Sequence, residues 1–493
     1  MQGAGCRMRL YFGVTGLALF FAATADGALL WDGSYYLYCS LNSSGVCTSN
    51  DRWINLFIHA PVIFAARITS DTEVLKMIYG LTYALIPLLA LAICWWIVGE
   101  RAPHLFLWAA FGMGFGTLML QLHFVAEAII SVQLAWPIFL AQLVPDRRAT
   151  LLVTAILAAL LLVTHPFSIV FFGMSAAAAL LIGWKGERLR GEKWFWAVVL
   201  LVLASLAAAR LILAPSDYEA QRISWSVLGE GISALRGFPG YAFAGVYLAA
   251  GLAFLALYLR PRREVGRWIR VSQAAGLVWA GILLLVWASR PHVWNDSFSF
   301  RVIAPLMSIP FFGLAGLEAF LNTSQPTLYA RDAWNLRLPL MQGIAVSFAL
   351  ILTVQSWSWK STQNQLAAII AESTSTCISL RDVSSRFEQS QMPFHHWTIT
   401  VLSLFIQGSA PEKVIMEKPC EEIDFSTSMP VNGWEVQPWG TNRIFDLSRL
   451  EKGLRIERRS WRQGAETANY HRCREAKEKR NKTPRWRIEA LRQ

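Results

Sequence analysis

Charge is scarce in this chain. Only 16% of its residues are Asp, Glu, Lys or Arg, against 54% hydrophobic, and the mean hydropathy is +0.38. A soluble domain carries about a quarter charged residues, so a soluble enzyme of 493 residues is excluded. Nucleotide and zinc motifs are lacking as well. No Gly-rich loop ends in Lys-Ser or Lys-Thr, no Gly-x-Gly-x-x-Gly follows a strand, and no His-Glu-x-x-His occurs. Those absences argue against nucleotide-driven transport, a dinucleotide cofactor and zincin-type hydrolysis. The seven cysteines include no zinc-ligand spacing. The net charge of +12 resembles a nucleic-acid signal until it is located: residues 451–493 hold 14 Lys/Arg against 6 Asp/Glu, so +8 lies in the tail. The apolar body is nearly balanced, and no nucleic-acid partner follows.

What the chain has is apolar runs. They recur at Leu10–Ala25, Met77–Val98, Leu105–Leu120, Ile129–Val144, Leu151–Thr164, Phe167–Gly183, Trp194–Leu213, Tyr241–Leu259, Ala274–Ala288, Val302–Leu321 and Leu340–Gln355. Each is long enough to span a bilayer, or nearly so when tilted, which predicts an α-helical polytopic membrane protein with about eleven transmembrane helices. The first run, preceded by Arg7 and Arg9, fits either a signal peptide ending at Ala23-Thr24-Ala25 or an uncleaved helix. The charge alternation of the later loops favours the helix. Arg101, Arg147, Arg148, Lys185 to Lys193, Arg260 to Arg270, Arg331 and Arg337 fall in every second loop, predicting a cytoplasmic N-terminus. Residues 31–75, 121–128, 214–240, 290–301 and everything after Gln355 then lie outside the cytoplasm.

The first external loop, residues 31–75, is too long for a plain connector. Its segment Trp53–Ile68 is apolar at most positions, interrupted by Pro61 and flanked by Arg52 and Arg67, and predicts one or two helices lying along the membrane surface. Residues 1–358 form the membrane module, 359–450 a small non-cytoplasmic C-terminal domain, and 451–493 a basic, flexible tail. Cysteine placement predicts two disulfides in an oxidising compartment, Cys39–Cys47 and Cys377–Cys420, with Cys94 in a span and Cys473 left over. Gly112, Gly114 and Gly116 sit inside an apolar span and predict close helix packing.

The run Trp31-Asp32-Gly33-Ser34-Tyr35-Tyr36 places a carboxylate among aromatics just after the first span, where it is costly unless used or solvated. This motif, the long first external loop with surface helices, ten or more spans with short connections and the external C-terminal domain together resemble the GT-C superfamily of integral membrane glycosyltransferases. Many members pair two acids where this chain has Asp32-Gly33. The resemblance implies a polyprenyl-phosphate sugar as donor, a glycan, lipid or protein as acceptor, inversion at the anomeric carbon, and an acid of the first external loop as base. Relatives differ in their need for a divalent cation, the cofactor to consider.

The chemistry is compatible with those residues. An acceptor hydroxyl must lose a proton as it attacks, and Asp32 is the candidate base, with Asp26 as its rival. On one regular helix the two acids face apart, six residues being about 1.7 turns. A leaving lipid phosphate calls for external cations, for which Arg301, His292, Arg52 and Arg222 are candidates. Tyr35 and Tyr36 suit the faces of a sugar, and Glu127 binds substrate or metal. Each residue also has a plainer role: Asp32 opening a turn beside an interfacial aromatic belt, Glu127 ending a helix, Arg301 anchoring at the interface with Asp296 as partner, His165 completing a turn before Pro166. His395 and His396, being adjacent, project apart and form no metal pair. Two other function classes stay open: a lipid or polysaccharide transporter or flippase, and a non-catalytic membrane anchor for the C-terminal domain. The expected location is a bacterial inner membrane, with the C-terminal domain in the periplasm.

Overall fold

The computed structural model describes residues 2–30, 32–42, 52–99, 101–114, 126–145, 148–186, 190–216, 219, 297–322, 326–386, 398–416, 420, 429–431, 434–436 and 445–457. The expected spans at 241–259 and 274–288, together with Trp31, Cys47, Arg222, His292, Asp296, His395, His396, Cys473 and the tail after 457, lie outside these residues.

The chain is mostly helical and membrane-embedded in character. In order come α1 (Gln2–Thr24), α2 (Asp32–Asn42), α3 (Ile54–Ala65), α4 (Thr72–Val98), α5 (Phe106–Met113), α6 (Glu127–Leu143), α7 (Arg148–Leu162), α8 (Ser168–Lys185), α9 (Arg190–Leu213), α10 (Ser297–Asn322) and α11 (Pro326–Glu372). Among the described residues four helices are long and apolar enough to cross a membrane: α4, α8, α9 and the Met341–Glu372 part of α11. Shorter apolar helices, including Met8–Thr24, Glu127–Leu143, Arg148–Leu162 and Pro305–Leu321, pack with them.

The packing follows from the distribution of apolar side chains. Helix α6 is buried on all sides from Ala128 to Leu143, so it occupies the centre, touched by α4, α7, α8 and α10. Its Trp136 stacks on Phe312 of α10 at 3.9 Å between ring centroids and donates Nε1–H to Ser308 Oγ at 2.9 Å. A Cβ on Gly112 of α5 would fall on the Trp136 indole, and one on Gly114 on the Phe348 ring, the close packing expected of that Gly-rich span. Helix α9 leaves Phe195, Val198, Val202, Leu206, Ile212 and Leu213 exposed, an apolar stripe suited to lipid.

Basic side chains tie together one end of the bundle. Arg101 donates to the Pro145 carbonyl, Lys185 to that of Phe320 and Lys193 to that of Ala141. The end of α1, the start of α4 and the start of α6 meet at the opposite end. Helix α4 starts there on an Asp71 cap, whose carboxylate accepts from the Glu73 and Val74 amides. Helix α1 comes so close to α4 that a Cβ on Gly80 would stand 3.0 Å from the Ala23 carbonyl oxygen.

Helix α11 runs unbroken across residue 358 to Glu372 and carries the C-terminal region. Lys413 Nζ donates to the Ile370, Ala371 and Ser373 carbonyls, closing the helix with a positive charge where its dipole is negative. Strand β1 (Cys377–Ser379) pairs in parallel with β2 (Val414–Met416), Cys377 opposite Val414, and β3 (Met429–Val431) pairs antiparallel with β4 (Trp434–Val436). Between β1 and β2 lie α12 (Leu380–Arg386) and α13 (Ile399–Gln407). The expected Cys377–Cys420 disulfide is present, and Cys39 is disulfide-bonded, its expected partner Cys47 falling outside the described residues. The Tyr38 ring of α2 stacks on Phe445 at 6.0 Å, so the C-terminal region packs against the segment that carries Asp32.

Candidate functional site

The chain turns between α1 and α2, and the turn gives the two acids there different surroundings. Asp26 takes φ 58°, ψ 28°, a left-handed conformation that Asp tolerates better than most residues. A short turn at Gly27–Leu29 follows, and α2 opens at Asp32. The regular helix on which Asp26 and Asp32 were set against each other is therefore not formed. Asp26 is buried and occupied: its Oδ2 lies 3.1 Å from Lys360 Nζ and 3.6 Å from Lys76 Nζ, and its carbonyl accepts Trp359 Nε1–H at 3.0 Å. It clamps α1 to α4 and α11, a structural task that sets it apart from the rival base expected of it.

Asp32 is also buried, but in other company. Helix α3 lies over this end of the bundle as one helix through Pro61 rather than two. Its exposed side carries Leu56, Phe57 and Phe64 and its buried side Ile54, Ile58 and Val62; three polar residues are buried with these, Arg52 just before the helix and Asn55 and His59 on it. Those three recur at i, i+3 and i+7, one face of a helix. Asn55 Nδ2 donates to Glu127 Oε1, at the start of α6, at 3.1 Å. His59 Nδ1 lies 2.9 Å from Ser40 Oγ on α2, and Nε2 lies 3.3 Å from the Tyr83 hydroxyl on α4. Tyr36 and Tyr79 flank the imidazole, ring centroids 5.9 and 5.8 Å away, and Tyr79 packs edge-on to Tyr83 at 5.0 Å.

The Tyr79 hydroxyl stands within electrostatic range of both Asp32 and Glu127. Two carboxylates separated by 95 positions in the chain thus both bear on one buried phenol. Burial pushes His59 down to about 4, so the imidazole is neutral at physiological pH, one ring nitrogen donating and the other accepting. Burial, then the negative charge of Asp32, pushes the Tyr35 phenol up, keeping it protonated. The result is a buried polar cluster with two acids, a neutral imidazole and several phenols, a set of groups able to take a proton from a hydroxyl and to bind sugar hydroxyls.

The other expected site residues are spread around it. Tyr35 and Tyr36 sit on α2, their rings 5.9 Å apart, and Tyr36 faces His59. Arg52 pairs with Glu219 at 3.3 Å, both buried. Arg301 is on α10, where only the backbone is described, and His292 lies outside the described residues. Sequence reasoning passed over Asn55, His59, Tyr79, Tyr83, Lys76, Lys360 and Glu219. The signal for the first two was their helical spacing with Arg52 inside an otherwise apolar segment. Among the described residues no group of three His, Cys, Asp or Glu side chains is arranged to hold a metal ion. No family model, no curated protein and no solved structure matches the chain.

Proposed function

We propose that the protein is an inverting glycosyltransferase of the GT-C type. It moves a sugar from a polyprenyl-phosphate donor to an acceptor hydroxyl, with Asp32 as general base. The observation that carries this reading is the buried polar cluster beneath α3, where Asn55 bonds Glu127, His59 bridges Ser40 and Tyr83, and the charges of Asp32 and Glu127 both bear on the Tyr79 phenol. In the proposed step the acceptor oxygen attacks the anomeric carbon from the face opposite the phosphate. Asp32 takes the hydroxyl proton as the new C–O bond forms, and the old C–O bond breaks with its electrons leaving on the phosphate. Glu127, held by Asn55, and the phenols of Tyr35 and Tyr36 bind sugar hydroxyls. His59, neutral and bonded to α2 and α4, keeps the roof in register.

The membrane setting supports the same reading. Arg101, Lys185 and Lys193 gather at the end of the bundle opposite Asp32, as the positive-inside rule asks if the cluster faces away from the cytoplasm. About eleven spans, a cytoplasmic N-terminus and a periplasmic C-terminal region in a bacterial inner membrane complete the proposal. The test is transfer from a panel of radiolabelled polyprenyl-phosphate sugars by the purified protein, wild type beside Asp32→Asn and Glu127→Gln. Transfer by wild type that collapses in Asp32→Asn supports the assignment; full transfer by Asp32→Asn removes Asp32 from the mechanism.

A further inference from the structure

Helix α2 has two faces, and different parts of the chain hold them. Asp32, Tyr36 and Ser40 recur at i, i+4 and i+8 and so share one face. That face meets α3, where His59 lies 2.9 Å from the Ser40 hydroxyl and 5.9 Å from the Tyr36 ring. Tyr38 stands about half a turn away. Its ring stacks on Phe445 at 6.0 Å, with 23° between the planes, and Phe445 packs edge-on to Phe405 of α13 at 5.1 Å. All three rings are buried.

Phe445 is itself held in place. The Asp446 amide donates to the Ser409 carbonyl at 2.7 Å, tying this stretch to the end of α13. Ser403 Oγ of α13 accepts the Ile415 amide of β2 at 3.1 Å, and the Gln407 side chain bonds the Lys413 amide and carbonyl. Lys413 in turn closes α11. Helix α11 leads back to α2, because Lys360 and Trp359 hold Asp26 in the turn before it. The C-terminal region therefore holds α2 both at its entry and on the face away from α3. A helix of 11 residues is marginal on its own, so its setting comes from what packs on it. Its side-chain tips lie about 5 Å from the axis, and a rotation of about 10° carries them about 1 Å. A rotation that slides Tyr38 off Phe445 moves Asp32 by the same angle. A displacement of about 1 Å at a reacting group costs about a hundred-fold in rate.

We propose that the C-terminal region positions α2 and that Phe445 is the positioning residue: through Tyr38 it sets the rotation of the helix, and with it the place of Asp32 and Tyr36 in the polar cluster. Phe445 brings no polar atom of its own and acts only through Tyr38. The consequence for catalysis rests on the reading of Asp32 as the base; the hold on α2 does not.

The experiment is amide hydrogen exchange of α2 in the full-length protein in detergent, with no substrate added, beside the kinetics of sugar transfer. Phe445→Leu keeps most of the buried volume and loses the stack on Tyr38. Val383→Ala is the control: it removes buried packing between α12 and β1 of the same region rather than at the stack. Amides 36–42, which bond within the helix, should exchange about three- to ten-fold faster in Phe445→Leu, the contribution of one aromatic pair, and at the wild-type rate in Val383→Ala. In the transfer assay Phe445→Leu should lower kcat about ten- to a hundred-fold with the KM for donor unchanged, and Val383→Ala should change neither. Wild-type exchange of α2 in Phe445→Leu, or an equal rise in both variants, overturns the proposal. Faster exchange with an unchanged kcat overturns the positioning of Asp32. A wild-type protein that transfers no sugar removes the proposed activity, and exchange then decides by itself whether Phe445 holds α2.

Discussion

Acid should weaken the roof of the cluster through one side chain. His59 is fully buried on α3, hydrogen-bonded to Ser40 and Tyr83, and its folded state holds the imidazole at about 4 against 6.5 for a free histidine. A depressed value means that the unfolded chain binds the proton first. Nothing is lost above about pH 6.5, stability falls as pH drops from there toward about 4, and the loss then levels off. Between about pH 8 and pH 5 the difference in proton uptake amounts to roughly 2 kcal/mol for this residue. The perturbation is His59→Gln, which keeps a donor and an acceptor but cannot be charged. The assay is unfolding stability in detergent at both pH values, for wild type and variant. His165, also shifted downward by burial and by Arg52, is present in both proteins and cancels in the difference. The variant should start less stable at pH 8 and lose about 2 kcal/mol less on acidification. An identical pH dependence in the two proteins would refute the placement of a neutral His59 between α2 and α4.

Other perturbations separate structure from chemistry. Asp26→Asn keeps the left-handed turn but leaves Lys76 with Glu73, 2.6 Å away, as its remaining carboxylate partner; a loss of about 2 kcal/mol in unfolding free energy is expected, with sugar transfer by the surviving folded protein retained. Opening the Cys377–Cys420 disulfide, which closes a loop with a sequence separation of 43, should cost about 4 kcal/mol and expose the C-terminal region to limited proteolysis, with the membrane bundle left protected. Gly112→Val should drive the Trp136 indole off Phe312 and Ser308; folded yield in detergent, read by size-exclusion chromatography, should fall sharply, while Gly13→Val, facing open space, should not change it.

Much of the architecture could be read from hydropathy, because a helix in lipid must satisfy its own backbone and therefore announces itself as an apolar run. The helical nature of α3 and the Cys377–Cys420 pairing were also legible, the one from its apolar run and the other from cysteine placement. What hydropathy could not convey was which face of α3 turns inward. Its apolar residues lie on both faces, Leu56, Phe57 and Phe64 exposed and Ile54, Ile58 and Val62 buried, so Asn55 and His59 looked like interruptions when they share the buried face. Asp26 and Asp32 could be named but not told apart. Their separation depends on Lys76, some 50 residues on, and on Lys360 and Trp359 far along the chain, and long-range ion pairs leave no trace in local pattern. The joint influence of Asp32 and Glu127 on Tyr79 has the same cause: it arises from the packing of α4 on α6 and of α3 on α2 and α4.

The central claim is that Asp32 removes the acceptor proton. Its most direct test is the initial rate of sugar transfer by Asp32→Asn relative to wild type, at saturating donor and acceptor, with thermal protection by the donor measured on the same preparation. General-base catalysis supports about a hundred-fold to ten-thousand-fold loss of rate, with donor protection unchanged. A variant that transfers sugar at the wild-type rate would contradict the account.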